Sequence, residues 1–509
     1  MNEPIDDLLT EIKRVARQVA DFREIAALIE SFGYDDRSAK DLGFPNVFAL
    51  AEHLFARFPQ DPTAEDKVIQ NWWCAFKSEA RWAVRKLSLG LAYAVPWMAL
   101  LALQYLRPEA LQVSPALGGA LSLSLIASLI TTGGFIQMIS RSGNFYYGLE
   151  EPFVARASCI LLLNLGLIST LSFALLGLAL SLYFNLFPSS YLIIAAIEYV
   201  ALSLLWMFCA VLSFQGLGWC IPFMFLLSAL IVGLVKILAN WGTIALLVLW
   251  PALAVISTLG CVGAGFHRAQ KKHLDKQESA GPRFSIWFIS LLPFYAYGAA
   301  YFSFLFADRV AAGSAIPWVS GLSFGIDSAY QRGMDLVLLA FLITAALVEY
   351  LSDSFVRFWH RLAAERPRPE SKPLATSLQE RHWRLMLATS TVFTAISSSA
   401  WFAFRHFTSL AASPRPWETS AMGGLGYLML SMALLEIIIL ASVNATAVAL
   451  GAVALGLGVN LLTGYGLSHL LGLQYAAAGL LAGSAVVLWK CNAAVREVLR
   501  HPEYHYAIS

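Results

Sequence analysis

Gln137, Arg141 and Asn144 follow one another at four- and three-residue steps, so a helix carries them on one face. A guanidinium between two carboxamides offers several N–H donors and two carbonyl acceptors, a set suited to hydroxyl-rich or anionic ligands. The alternative for Arg141 is a snorkelling anchor at a bilayer surface, beside the aromatic pair Tyr146 and Tyr147. Two carboxylates sit inside apolar runs, Glu198 in IIAAIEYVAL and Glu436 in MALLEIIIL. Ionised carboxylates are costly in hydrocarbon, so such groups face a bundle interior, pair, or stay protonated. They suit a proton relay or a substrate contact, and equally a hydrogen bond between helices. Arg332 and Asp335 stand at helical spacing and can pair with each other, and Glu349 and Asp353 are one turn apart. These nine residues are the candidate substrate path.

Enzyme signatures are missing. The sequence has no H-E-x-x-H, no P-loop and no G-x-S-x-G, so a non-enzymatic protein without a cofactor or metal is expected. His267, His273, His360 and His382 lie in basic segments and read as solvated rather than ligating. The six cysteines lack C-x-x-C spacing and read as small hydrophobes. Asn164, Asn444 and Asn460 read as structural.

The elements that must position these groups are membrane helices. Of 509 residues 58% are hydrophobic and 13% charged, against about 25% charged in a soluble domain. The expected fold is therefore an all-α polytopic membrane protein. Apolar runs near 87–106, 116–139, 157–182, 191–214, 217–238 and 241–266 are each long enough to span a bilayer, and six more follow near 286–306, 329–352, 385–407, 423–443, 445–467 and 473–490. That is about twelve transmembrane helices in two six-helix bundles, 87–266 and 286–490, joined by a cytosolic linker at 267–285 and ending in a cytosolic tail at 491–509. Lysine and arginine concentrate in alternate loops, around 267–285 and 355–384, while the opposite loops hold little beyond Arg107, Arg309 and Arg415. This bias places both termini in the cytoplasm. Pro96-Trp97 in the first span and Pro293-Phe294 in the seventh are a trace of internal symmetry, and by the same count Glu198 and Glu436 fall on equivalent spans, the fourth and tenth. Gly133 and Gly134 in the second span permit close approach of another helix.

Before the first span lies a soluble segment. Ile5, Leu8, Ile12, Val15, Val19, Phe22, Ile25 and Ile29 recur at helical steps up to Gly33, and Val47, Leu50, Leu54 and Phe58 mark a second short helix. Residues 1–62 form an expected cytosolic helical module. Residues 63–86, with Trp72, Trp73, Phe76 and Trp82 among cations, form an expected interfacial amphipathic helix.

The Pro-Trp of the first span, Gly133-Gly134-Phe135-Ile136-Gln137 followed by Arg141, the stretches Asp335–Phe355 and Leu434–Asn444, and the tail Trp489–Tyr506 occur in an order that resembles the MOP flippase superfamily. More narrowly, the order resembles the PelG-type inner-membrane exopolysaccharide exporters. The resemblance covers roughly residues 80–509, and the first 70 or so residues look additional to it. It implies two six-helix bundles around a central cavity that opens alternately to either face of a bacterial inner membrane. The implied substrate is a polysaccharide or lipid-linked glycan, and the implied partners are a cytosolic glycosyltransferase and other membrane components of a synthase complex, with no nucleic acid. Ion-coupled small-molecule efflux on the same fold, and a non-transporting scaffold for a polysaccharide synthase, are the alternatives.

Overall fold

A computed structural model describes residues 22–31, 34–57, 115–184, 187–239, 242–272, 284–316, 327–364, 371–407 and 414–502, with the isolated residues 8, 12, 77, 80–84 and 87–88. The chain forms two compact units, one of Met1–Ala83 with Phe355–Leu378, the other of Val84–Ser354 with Gln379–Ser509.

In the first unit, α1 (Phe22–Ser31), α2 (Asp36–Asp41) and α3 (Val47–Arg57) surround a small core. Leu8, Ile12, Ile25, Ile29, Val47, Leu50 and Leu54 are all buried there, so the apolar stripes read from the sequence do converge. Helix α2 was not evident from periodicity, because its six residues hold one buried side chain, Ala39. Capping supports it instead: the Asp35 carboxylate accepts from the backbone N–H of Arg37 and Ser38 at 3.1 and 2.9 Å. Those donors hold the Asp35 carboxyl below the usual carboxylate range. Within the same unit the guanidinium of Arg357 lies 3.4 Å from the centre of the Trp82 ring.

Eleven helices among the described residues are long and apolar enough to cross a membrane. They are α4 (Pro115–Gly148), α5 (Pro152–Tyr183), α6 (Ser189–Phe214), α7 (Cys220–Ala239), α8 (Thr243–Lys272), α9 (Phe284–Ser314), α10 (Ser328–Ala364), α11 (Ser371–Phe407), α12 (Pro414–Ser442), α13 (Thr446–Leu471) and α14 (Ala476–Arg500). Each answers one expected span. Of the remaining expected span, 87–106, only residues 87 and 88 are described, and Pro96-Trp97 lies outside the described residues. Helices α10 and α11 run well beyond the apolar runs that announced them. Apolarity marks only the part of a helix that hydrocarbon would cover, and the continuation is amphipathic, with Phe355, Trp359 and Leu378 buried.

Short connections force chain reversals at Glu150 (φ 57°), between α4 and α5, and at Asn444 (φ 59°), between α12 and α13. Asn tolerates that left-handed conformation better than most residues. In the second half of the chain α13 packs on α14 through small residues. A Cβ on Gly479 would stand 2.5 Å from the Asn460 carbonyl, and one on Gly483 2.6 Å from the Gly456 carbonyl. Asn460 itself is buried and donates to the Phe304 carbonyl at 3.0 Å, tying α13 to α9.

Candidate functional site

Helix α4 belongs to the first half of the chain and α9 to the second, and the two meet backbone to backbone. A Cβ on Gly133 would lie 2.9 Å from the Gly298 carbonyl, one on Gly134 2.7 Å from the Tyr295 carbonyl, and one on Gly298 2.7 Å from Gln137 Cγ. Only glycine permits that approach. Along this seam Phe135 meets Tyr295 edge to face at 5.1 Å, and Tyr297 stacks on Tyr301 at 5.9 Å. At the end of the seam nearer the basic loops, the Arg141 guanidinium lies 5.3 Å from the Phe294 ring centre. Phe294, Tyr295, Tyr297, Tyr301 and Phe302 all keep part of their surface accessible. The seam therefore offers ring faces, phenol hydroxyls, one carboxamide and one guanidinium. Those groups can stack on and hydrogen-bond to a polar ligand. Arg141 and Asn144 are both exposed, and the Asn144 carboxamide donates back to the Ser140 carbonyl at 2.9 Å.

A second polar group lies at the opposite end of the second half. Arg309 Nη2 donates to Asp335 Oδ1 at 3.2 Å and Nη1 to the Tyr427 hydroxyl at 3.2 Å, while Asp308 Oδ1 is 3.7 Å from Nη1. Tyr330 donates to Asp308 Oδ2 at 2.8 Å and Gln331 to Asp335 Oδ1 at 3.0 Å. Asp308, Arg309 and Asp335 are all buried. One guanidinium faces two carboxyl groups, and Asp308 Oδ1 accepts no hydrogen bond. Two carboxyl groups thus share one guanidinium. Breaking such a buried pair by removing one partner costs about 3–5 kcal/mol.

The third group is built around Glu436. Its Oε1 accepts from Asn492 Nδ2 at 2.7 Å and lies 3.0 Å from His382 Nε2, joining α12 to α14 and α11. Glu436 is fully buried, and its Oε2 has no partner.

The nine candidate residues fall into separate groups. Gln137 and Arg141 lie on the α4–α9 seam, Asp335 in the Arg309 cluster and Glu436 in the His382 group. Asn144 is exposed one turn from Arg141 on α4, and Glu198, Arg332, Glu349 and Asp353 belong to none of these groups. Asp335 takes Arg309, from the preceding helix, as its ion-pair partner in place of the one-turn neighbour Arg332, which is partly exposed. Glu349 is exposed and Asp353 half-buried, one turn apart on α10, which continues past them to Ala364. Glu198 is half-buried, and its inward oxygen Oε2 has no hydrogen-bond partner. The equivalence of Glu198 and Glu436 fails on depth. Glu198 is the tenth residue of α6, whereas Glu436 lies six residues before α12 ends, and both helices start at the same end of the bundle.

Solved structures share this helix arrangement. A mutant of the Vibrio cholerae MATE transporter VcmN superposes with a TM-score of 0.57 at 15% identity, over 84% of this chain and 100% of its own. An outward-facing multidrug resistance MATE family transporter of the MOP superfamily superposes with a TM-score of 0.58 at 11% identity, over 84% of this chain and 97% of its own. The fold is that of the MATE transporters. No family model matches the sequence, and no curated protein matches it.

Within this MATE-like fold two basic residues carry a different role from the one their sequence neighbourhood implied. Arg309 counted as an outer-loop residue, but it is inside α9 and 5% exposed. His382 read as a solvated loop residue, but it is inside α11, 5% exposed and bound to Glu436. Charge next to an apolar run reads as loop until the helix is known to continue. The aromatic face of α9 was legible in principle: Phe294, Tyr297 and Tyr301 follow at steps of three and four. Tyr427 and Asn492 carry no local signal, since their partners lie far away in sequence.

Proposed function

We propose that this protein is a membrane transporter that exports an exopolysaccharide, or the lipid-linked glycan from which one is built, across a bacterial inner membrane. The observation that carries the reading is the α4–α9 seam, where Gln137, Arg141 and the partly accessible aromatics of α9 lie together between the two halves of a MATE-like fold. A glycan needs ring faces and hydrogen-bonding groups through an apolar slab about 30 Å thick. Rocking of one helical half against the other exposes such a seam to each side in turn. The order of motifs, which resembles that of PelG-type exporters, supports the same substrate class.

Deletion of the gene, followed by measurement of secreted polymer and drug susceptibility, tests the substrate. Polymer should be lost and susceptibility unchanged. Raised susceptibility with normal polymer would assign the protein to small-molecule efflux instead. Restoring the gene as Arg141→Ala should lower polymer at unchanged membrane abundance, and full export by that variant would leave Arg141 as an interface anchor. The soluble module is proposed to hold a cytosolic glycosyltransferase of a synthase complex. Removal of residues 2–60 should release that enzyme from the purified complex, and its retention would make the module dispensable for assembly.

A further inference from the structure

Between α11 and α14, at the end of the second half nearer the basic loops, a cavity of about 320 Å³ is lined by Gln379, His382, Trp383, Asn492, Arg496 and Arg500. Its size is at the lower end for ligand pockets, roughly 300–1,000 Å³. Asn492, Arg496 and Arg500 recur every fourth residue and so share one face of α14. Arg496 forms no ion pair among the described residues, and Arg500 meets the exposed Glu497 at 3.2 Å, a surface pair of little strength. The buried carboxyl group of Glu436 is already held by His382 and Asn492 at the wall of the cavity. It forms no hydrogen bond or ion pair with either arginine among the described residues, which leaves the two guanidiniums to a ligand from outside.

The surroundings indicate how that ligand arrives. Trp383 is 64% exposed, and Leu387, one turn further along α11, is 62% exposed. The wall of the cavity thus continues into an apolar strip on the outside of a membrane-spanning helix. A free ion has no use for such a strip, whereas an acyl chain does. An exposed Trp beside cations is also the side-chain set favoured at the level of lipid headgroups.

We propose that this cavity binds a phosphate group, supplied by an anionic phospholipid of the leaflet beside the basic loops. Arg496 and Arg500 hold the phosphate, Gln379 reaches the headgroup hydroxyls, and the acyl chain lies along Trp383 and Leu387. The site is separate from the α4–α9 seam and independent of what the protein transports.

The test uses the full chain in nanodiscs of phosphatidylcholine with a minority of phosphatidylglycerol, and native mass spectrometry counts the lipids retained on release. The wild-type protein should retain phosphatidylglycerol in preference to phosphatidylcholine. Arg496→Gln and Arg500→Gln should each lower that preference about fivefold, equivalent to about 1 kcal/mol per cation near an anionic headgroup. Both arginines are solvent-facing, and a single monodisperse elution peak confirms that the variants are folded. Trp383→Ala should also weaken retention, and millimolar inorganic phosphate should leave the lipid in place. Equal phosphatidylglycerol retention by the wild type and the double arginine variant would overturn the site. Displacement by inorganic phosphate with no effect of Trp383→Ala would overturn the lipid as its source.

Discussion

Glu436 shows how much one side chain's role depends on its partners. The carboxylate takes two donors at once, Asn492 at 2.7 Å and His382 at 3.0 Å, so three helices share it. Glutamine preserves this geometry: its carbonyl oxygen, in the place of Oε1, accepts from both Asn492 Nδ2 and the Nε2–H of His382, and its amide takes the place of the unpartnered Oε2. Glu436→Gln should therefore fold normally, and export per folded molecule then reports whether the negative charge matters. Glu436→Leu strands the buried imidazole of His382, at a cost of about 1–3 kcal/mol, and leaves the half-buried Asn492 amide without its acceptor. It should lower the yield of folded protein and its melting temperature in detergent. Unchanged export per molecule in Glu436→Gln would remove the charge from the mechanism. Glu198 has no such partners, and its Oε2 is buried without a hydrogen bond. Glu198→Gln and Glu198→Leu should accordingly change stability less than the same substitutions at Glu436.

At the scale of the element, the decisive contact is α4 against α9. Helix association in lipid depends on close packing rather than on expulsion of water, so the missing side chains of Gly133, Gly134 and Gly298 set the distance between the halves. Gly298→Ala places a methyl group against the Gly133 carbonyl and the Gln137 side chain. Because overpacking costs roughly 1–3 kcal/mol, the melting temperature should fall measurably. Gly458→Ala on α13 is the control, since nothing lies within 4 Å of its added Cβ. Equal melting temperatures for the two variants would mean that the α4–α9 seam opens freely and that its close approach is not required. The glycine pair on α4 was legible in the sequence as a place for close approach. Its partner was not, because Gly298 sits among aromatics that carry no mark of which helix they face.

For the whole molecule, the distribution of lysine and arginine predicts that the loops around 267–285 and 355–384 face the cytoplasm. Cysteines introduced at Ser279 and Ser371 should escape membrane-impermeant thiol reagents applied to intact cells and react after lysis. Labelling in intact cells would reverse the orientation. The sequence by itself determined that the chain is a bundle of membrane helices in two halves after a small helical module. Those properties follow from composition, run length and periodicity, which are local and additive along the chain. It also singled out Gln137, Arg141, Asp335 and Glu436 as candidate polar groups, Glu436 among them inside an apolar run. Only the tertiary structure decided what each of them meets: Arg309 for Asp335, His382 and Asn492 for Glu436, the aromatic face of α9 for Gln137 and Arg141. The pairing partners stand 26 residues away for Asp335 and 54 and 56 for Glu436. Such pairings depend on which helix packs beside which and at what depth, and no local pattern of residues encodes either.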